Sequence, residues 1–153
     1  MSTSARLAEL GIELPVVVPP VAAYVPAVVH GGLVTVSGQL PFVAGVLPAT
    51  GKVGAEVSAD VAKECARICA LNALAAAAAA AGGVDRIAGV LRLGAFVASD
   101  PAFTAQPAVA NGASEVLGEI FGDAGKHARA AVGVAVLPLD TPVEVEATFI
   151  LAD

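Results

Sequence analysis

Residues 128–151 read ARAAVGVAVLPLDTPVEVEATFIL, two β-type runs around a Leu-Pro turn, with Arg129 in the first run and Glu144 and Glu146 in the second. A strand period of two puts Arg129, Ala131 and Gly133 on one face of the first run and Ala130, Val132 and Val134 on the other. A guanidinium beside such small side chains has room for a planar carboxylate in a two-point grip, which a lysine would hold with less geometric selection. In the second run Glu144 and Glu146 share a face, while Val143, Val145 and Ala147 point the other way. The two runs read as a hairpin closed around Pro138 to Thr141, with Glu144 pairing near Ala135 and Arg129 near Ile150. At about 3.3 Å per residue this separates the charges by roughly 20 Å. A site using both is then expected to span a subunit boundary. The plain structural alternatives are an ion pair for Arg129 and solvated edge charges for Glu144 and Glu146.

Outward from this segment the chain is mostly Ala, Val, Gly and Leu, which build a scaffold and carry little chemistry. Val25 to Val29 and Leu33 to Ser37 are β-rich runs, and His30-Gly31-Gly32 between them supplies the positive φ angles of a tight turn. Pro41 to Gly54 reads as a loop with a short extended piece around Val46 and Leu47. Ser58 is the expected N-cap, and Asp60 the first-turn acid, of a helix through Ala81 that Gly82 and Gly83 stop. Val61, Cys65, Ile68 and Asn72 then share one face, with Asn72 as a hydrogen-bonded structural amide. Val90 to Val97 is a third strand, Asp100-Pro101 a turn, and Pro107 to Phe121 a second helix. The order after the N-terminal segment is β-β-α-β-α-β-β, an α+β domain with two helices on one face of a sheet.

A chain of 153 residues fits one core. Residues 1–22 are expected to form a helical arm, Ser2 to Leu10 stopped by Gly11, and an extended Pro-rich linker; residues 23–153 form the single domain. Hydrophobic residues make up 57% and charged residues 14%, more apolar surface than one small globule usually hides, so oligomerisation is expected. A net charge of −6 disfavours a nucleic-acid partner, which needs clustered Lys and Arg. The prolines at 15, 19, 20 and 26 break the apolar run from Leu14 to Val29, and the Ala-rich run after Asn72 falls short of the roughly 20 apolar residues of a membrane span. No membrane partner and a cytoplasmic location are therefore expected. Cys65 and Cys69, four apart on a helix and without a Cys/His cluster, read as core residues.

The motifs YVPAVVHGGLVTVSGQLP from Tyr24, FVASDPAF from Phe96 and HARAAVGVAVLPLDTPVEVEA from His127 resemble the RidA/YjgF family, formerly labelled endoribonuclease L-PSP. The resemblance implies a chorismate-mutase-like α+β fold with a mixed sheet, and a homotrimer with ligand clefts between subunits. It also implies hydrolysis of 2-enamine and 2-imine acids to 2-keto acids and ammonia, without metal or cofactor. By position Arg129 corresponds to the family's carboxylate-binding arginine and Glu144 to the glutamate that holds or activates water. Tyr24, Ser37, Gly38 and Asn111 correspond to residues that line the cleft. Ala131 stands where the deaminase branch usually has Cys, Gly133 replaces a frequent Glu, and the arm and the 41–54 loop are additions, so this is a longer, divergent branch. Two other functions stay open: a non-catalytic binding or sensor protein for small carboxylic acids, and an endoribonuclease.

Overall fold

The computed structural model describes residues 1–17 and 23–153. The part of the expected linker at 18–22 lies outside them. Helix α1 (Thr3–Glu9) precedes strands β1 (Ala27–His30) and β2 (Leu33–Gln39), helix α2 (Ala59–Ala81), strand β3 (Ile87–Ala98), helix α3 (Gln106–Phe121) and strands β4 (Ala128–Val134) and β5 (Val143–Leu151). The β-β-α-β-α-β-β order holds. Gly31 and Gly32 have φ of 58° and 79°, so the β1–β2 turn takes the doubly left-handed form that glycine adopts without strain. Ser58 caps α2 by accepting from the Val61 N–H, and Gly82 ends it at φ 86°.

The final hairpin does not form. The sheet order is β1-β2-β5-β3-β4, so β3 lies between the two strands expected to pair, parallel to β4 and antiparallel to β5. The physical reason is the β3-α3-β4 crossover: α3 returns the chain to the start of β3, where β4 pairs in parallel, and β5 then fills the opposite edge of β3. Arg129 consequently pairs with Leu93, and Glu144 with Phe96, instead of Ile150 and Ala135.

Helices α2 and α3 cover one face of this mixed sheet. Val34, Leu93, Val97, Val143 and Phe149 point into the layer between and are fully buried; burial of a side chain such as Phe149 contributes about 1.5–3 kcal/mol. On α2 the buried stripe is Ala62, Cys65, Ala66, Cys69 and Ala73, whereas Val61 is exposed and Ile68 half-buried, a rotation from the expected face. The small residues let the sheet approach closely, so the helix turns its alanines inward. At 23 residues α2 is long and apolar enough by composition to cross a bilayer, further than the Ala run alone, but its middle is core here.

Helix α1 is docked on the body. Leu7 is buried, Thr3 Oγ1 donates to Ile87 O, and Asp85 accepts from both the N–H and the hydroxyl of Ser4. The 41–57 segment is tied down by Asn72 Nδ2, which donates to Leu40 O and Phe42 O, and by the Lys52–Asp140 ion pair at 2.5 Å. Among the described residues no helix covers the opposite face of the sheet.

Candidate functional site

Arg129 lies on edge strand β4, on the helix-covered side, because its register partner Leu93 points there. Helix α3 meets it with Pro107, Asn111 and Ser114, spaced four and three apart and hence on one stripe. Nη1 donates to Asn111 Oδ1 at 2.9 Å and to Ser114 Oγ at 3.0 Å, and Nη2 reaches Pro107 O at 3.4 Å. Among the described residues no carboxylate forms an ion pair with Arg129. The ion-pair alternative is therefore not what holds this guanidinium; neutral oxygens hold it, and its charge is uncompensated. The space expected beside Ala131 and Gly133 is partly filled: a Cβ at Gly133 would lie 2.8 Å from Gln106 Nε2, at the start of α3. Ala131 pairs with Ala95 and packs against the core.

Glu144 is on the other side of the sheet. Its partner Phe96 is three residues from Leu93, so the Arg129 and Glu144 side chains leave opposite faces. A β-bulge in β2 between the Val36–Ala147 and Gln39–Val145 pairs brings Gly38 against Glu144. A Cβ at Gly38 would collide with Glu144 Oε1. The carboxylate therefore occupies space that only glycine leaves open. Burial pushes the Glu144 carboxyl above its ordinary value, and the charge of Glu146 adds to the rise. Glu146 sits likewise over Gly94 but is exposed.

Ser37 is in the same bulge, where its hydroxyl donates to Val25 O at 2.8 Å and its N–H to Pro26 O. It ties the segment carrying Tyr24 to the sheet. Tyr24 is 57% exposed beside it. The expected residues thus divide into two groups: Tyr24, Ser37, Gly38 and Glu144 at the bulge, and Arg129, Asn111 and Ala131 at the β4–α3 edge. One chain does not bring them together, because the two groups leave opposite faces of the sheet and not, as expected, opposite ends of a hairpin.

Ser114 and His127 complete the arginine end, and neither is marked as a site residue by the sequence pattern. The available signal was a neutral polar pair, Asn111 and Ser114, three apart on a helix whose other polar side chains are Gln106, Glu115 and Glu119. Cys65 and Cys69 are core, as expected: burial pushes Cys65 up to about 11 and Cys69 well above the thiol range, so both stay protonated. Among the described residues no three His, Cys, Asp or Glu side chains converge as a metal site would require.

The family model described as "YjgF/chorismate mutase-like, putative endoribonuclease" matches residues 4–149, reaching back into the arm beyond the motifs that begin at Tyr24. Protein TCP17 of Trypanosoma cruzi is 45% identical over 147 residues, covering 94% of this chain and 91% of its own. The crystal structure of Atu1372 from Agrobacterium tumefaciens, a protein of unknown function, is 44% identical with a TM-score of 0.90 and covers 98% of this chain and 92% of that one. The YjgF gene product of E. coli is 27% identical with a TM-score of 0.63, over 86% and 91%. The five-stranded mixed sheet with its two covering helices agrees with these matches: the chain belongs to the YjgF/chorismate mutase-like family.

Proposed function

We propose that the protein is a cytoplasmic, RidA-like deaminase that hydrolyses 2-imino and 2-enamino acids, working as a homotrimer in which Arg129 of one subunit faces Glu144 of the next. The single observation that carries the reading is the guanidinium of Arg129, held by neutral oxygens and, among the described residues, without a carboxylate ion-pair partner. A cation so prepared is suited to a small carboxylate ligand. Glu144 and Arg129 leave opposite faces of the sheet, so a site using both draws them from two copies of the chain.

In this reaction Arg129 fixes the substrate carboxylate and Glu144 takes a proton from water as its oxygen bonds to the C=N carbon. That proton then passes to nitrogen to give a carbinolamine, and transfer of the carbinolamine's hydroxyl proton to the amine, through the same carboxylate, lets the C–N bond break as C=O forms, so that a 2-keto acid and ammonia leave. The raised carboxyl of Glu144 fits a group that takes and returns a proton nearer neutrality than an ordinary glutamate does. Positioning contributes most, because imines hydrolyse readily without help.

The test is keto-acid release from 2-iminopropanoate generated in situ. Wild type accelerates it; Arg129→Ala lowers kcat/KM by about 100-fold, as loss of two charge-assisted hydrogen bonds requires, and Glu144→Gln lowers kcat by about 10²-fold or more. Absence of acceleration in wild type overturns the enzyme. A second reading, a non-catalytic carboxylate-binding protein, is favoured by Ala131, a methyl where a thiol would face the ligand. It predicts saturable binding of pyruvate without turnover. An endoribonuclease, the activity in the family's description, is disfavoured by the net charge of −6, and RNA cleavage lost with Arg129→Ala would restore it.

A further inference from the structure

The hydrogen bonds that hold Arg129 form a chain whose direction is fixed at both ends. A guanidinium only donates, and Nη1 spends both of its hydrogens, on Asn111 Oδ1 and Ser114 Oγ. At the far end Gly125 O only accepts, and His127 Nδ1 lies 2.6 Å from it, so Nδ1 carries a proton. Between them Ser114 Oγ and His127 Nε2 are 2.9 Å apart. In the neutral imidazole Nε2 has no hydrogen, so the Ser114 hydroxyl donates to it. The order is Arg129 to Ser114 to His127 to Gly125, each link donating onward. What remains free on Arg129 is one edge of the fork: Nε bonds to no protein group among the described residues, and Nη2 makes only the 3.4 Å contact with Pro107 O.

We propose that Ser114 and His127 are positioning residues that present the Nε–Nη2 edge of Arg129 to the carboxylate of a 2-keto or 2-imino acid, and that protonation of His127 loosens this grip. The proposal rests on the reading of Arg129 as a carboxylate receptor. When His127 gains a proton, Nε2 becomes a donor to Ser114 Oγ. That oxygen then takes donors from two cations while its own hydrogen loses its acceptor, and the second positive charge sits one hydroxyl away from the guanidinium. Among the described residues no carboxylate pairs with either cation. From α3 the facing groups are the neutral Asn111 and Ser114, and Glu115 is turned to Lys63 at 2.9 Å. From the Gly122–Gly125 turn, Asp123 and Lys126 pair with each other in solvent. From β3, Arg92 is opposite Ala128 and adds only positive charge. No carboxylate among the described residues forms an ion pair with His127.

Pyruvate is the probe, since it is not consumed and stays ionised across the range used. Its affinity for the full-length protein is measured from pH 8 to pH 5, in a Glu144→Gln background that removes the raised carboxyl of Glu144 from the response. The parent binds several-fold more weakly at the acid end. His127→Gln keeps an amide oxygen for Ser114, holds affinity within about threefold at pH 8 and loses the acid weakening. Ser114→Ala binds about 3- to 10-fold more weakly at pH 8, and Ser114→Thr, which keeps the hydroxyl, restores binding and pH response together. A ¹⁵N spectrum of the His127 ring at pH 8 shows the Nδ1–H tautomer. Retention of the acid weakening in His127→Gln, wild-type affinity in Ser114→Ala, or an Nε2–H tautomer overturns the proposal and leaves the carboxylate receptor standing. Wild-type affinity in Arg129→Ala overturns the receptor itself.

Discussion

Gly38 matters because of the atom it lacks. The bulge in β2 sets its α-carbon against the Glu144 carboxylate, and the first carbon of any side chain there would overlap Oε1. The backbone at Gly38 is not in the left-handed region, so alanine fits the chain and conflicts only with the tip of one flexible side chain. Gly38→Ala is therefore expected to leave stability within about 0.5 kcal/mol, as for a substitution that relieves its clash by a rotamer change. A shift of the carboxylate of about 1 Å lowers turnover of an imino acid by 10- to 100-fold. Chemical denaturation and steady-state kinetics on the same preparation separate the two effects; wild-type kcat in Gly38→Ala would remove Glu144 from the chemistry.

Helix α3 does two things at once, and its glycines divide the labour. On one side Gly112 meets α2 so closely that a Cβ would collide with the Lys63 carbonyl oxygen; on another, Gly118 has nothing within 4 Å. Backbone cannot rotate away as a side chain can, so Gly112→Ala forces the helices apart and costs about 1–3 kcal/mol. Gly118→Ala gains up to about 1 kcal/mol from helix propensity alone. Thermal melts moving in opposite directions, each by roughly 2–4 °C per kcal/mol, check both; a neutral Gly112→Ala would mean that α3 does not sit this close to α2. The elements themselves were legible in sequence wherever the signal is local: Ser58 and Gly82 bound α2, and Gly31-Gly32 turns β1 into β2. Strand neighbours were not, because a period of two assigns faces but not partners. The short link from Leu137 to Pro142 imitates a hairpin turn, yet parallel pairing through α3 sets the order. The same distinction governs the site. Arg129 and Glu144 stand out as charges in an apolar chain, whereas Ser114 and His127 acquire meaning only when α3 folds onto β4.

At the scale of the whole molecule, one face of the sheet is covered by α2 and α3 and the other is bare among the described residues. Val28, Val132 and Ile150 are exposed on that bare face, alongside the two glutamates of β5. An antiparallel sheet with one face in water normally alternates apolar and polar residues, and β5 does so toward Glu144, but Val132 and Ile150 break the pattern. In the proposed trimer this face meets the neighbouring subunits, which is also what would bring Glu144 of one copy to Arg129 of another. The chain contains its own control. Val132 on β4 and Val61 on α2 are both 45% exposed, so a glutamate at either position costs an isolated protomer about the same. A charge buried without a partner in an assembly costs about 3–5 kcal/mol. Val132→Glu is therefore expected to sediment as monomers at micromolar concentration and to lose pyruvate binding with the neighbour's half of the cleft, while Val61→Glu assembles and binds like wild type. Equal behaviour of the two variants, or a wild type that sediments as a monomer, would leave Arg129 and Glu144 on separate faces with nothing to join them.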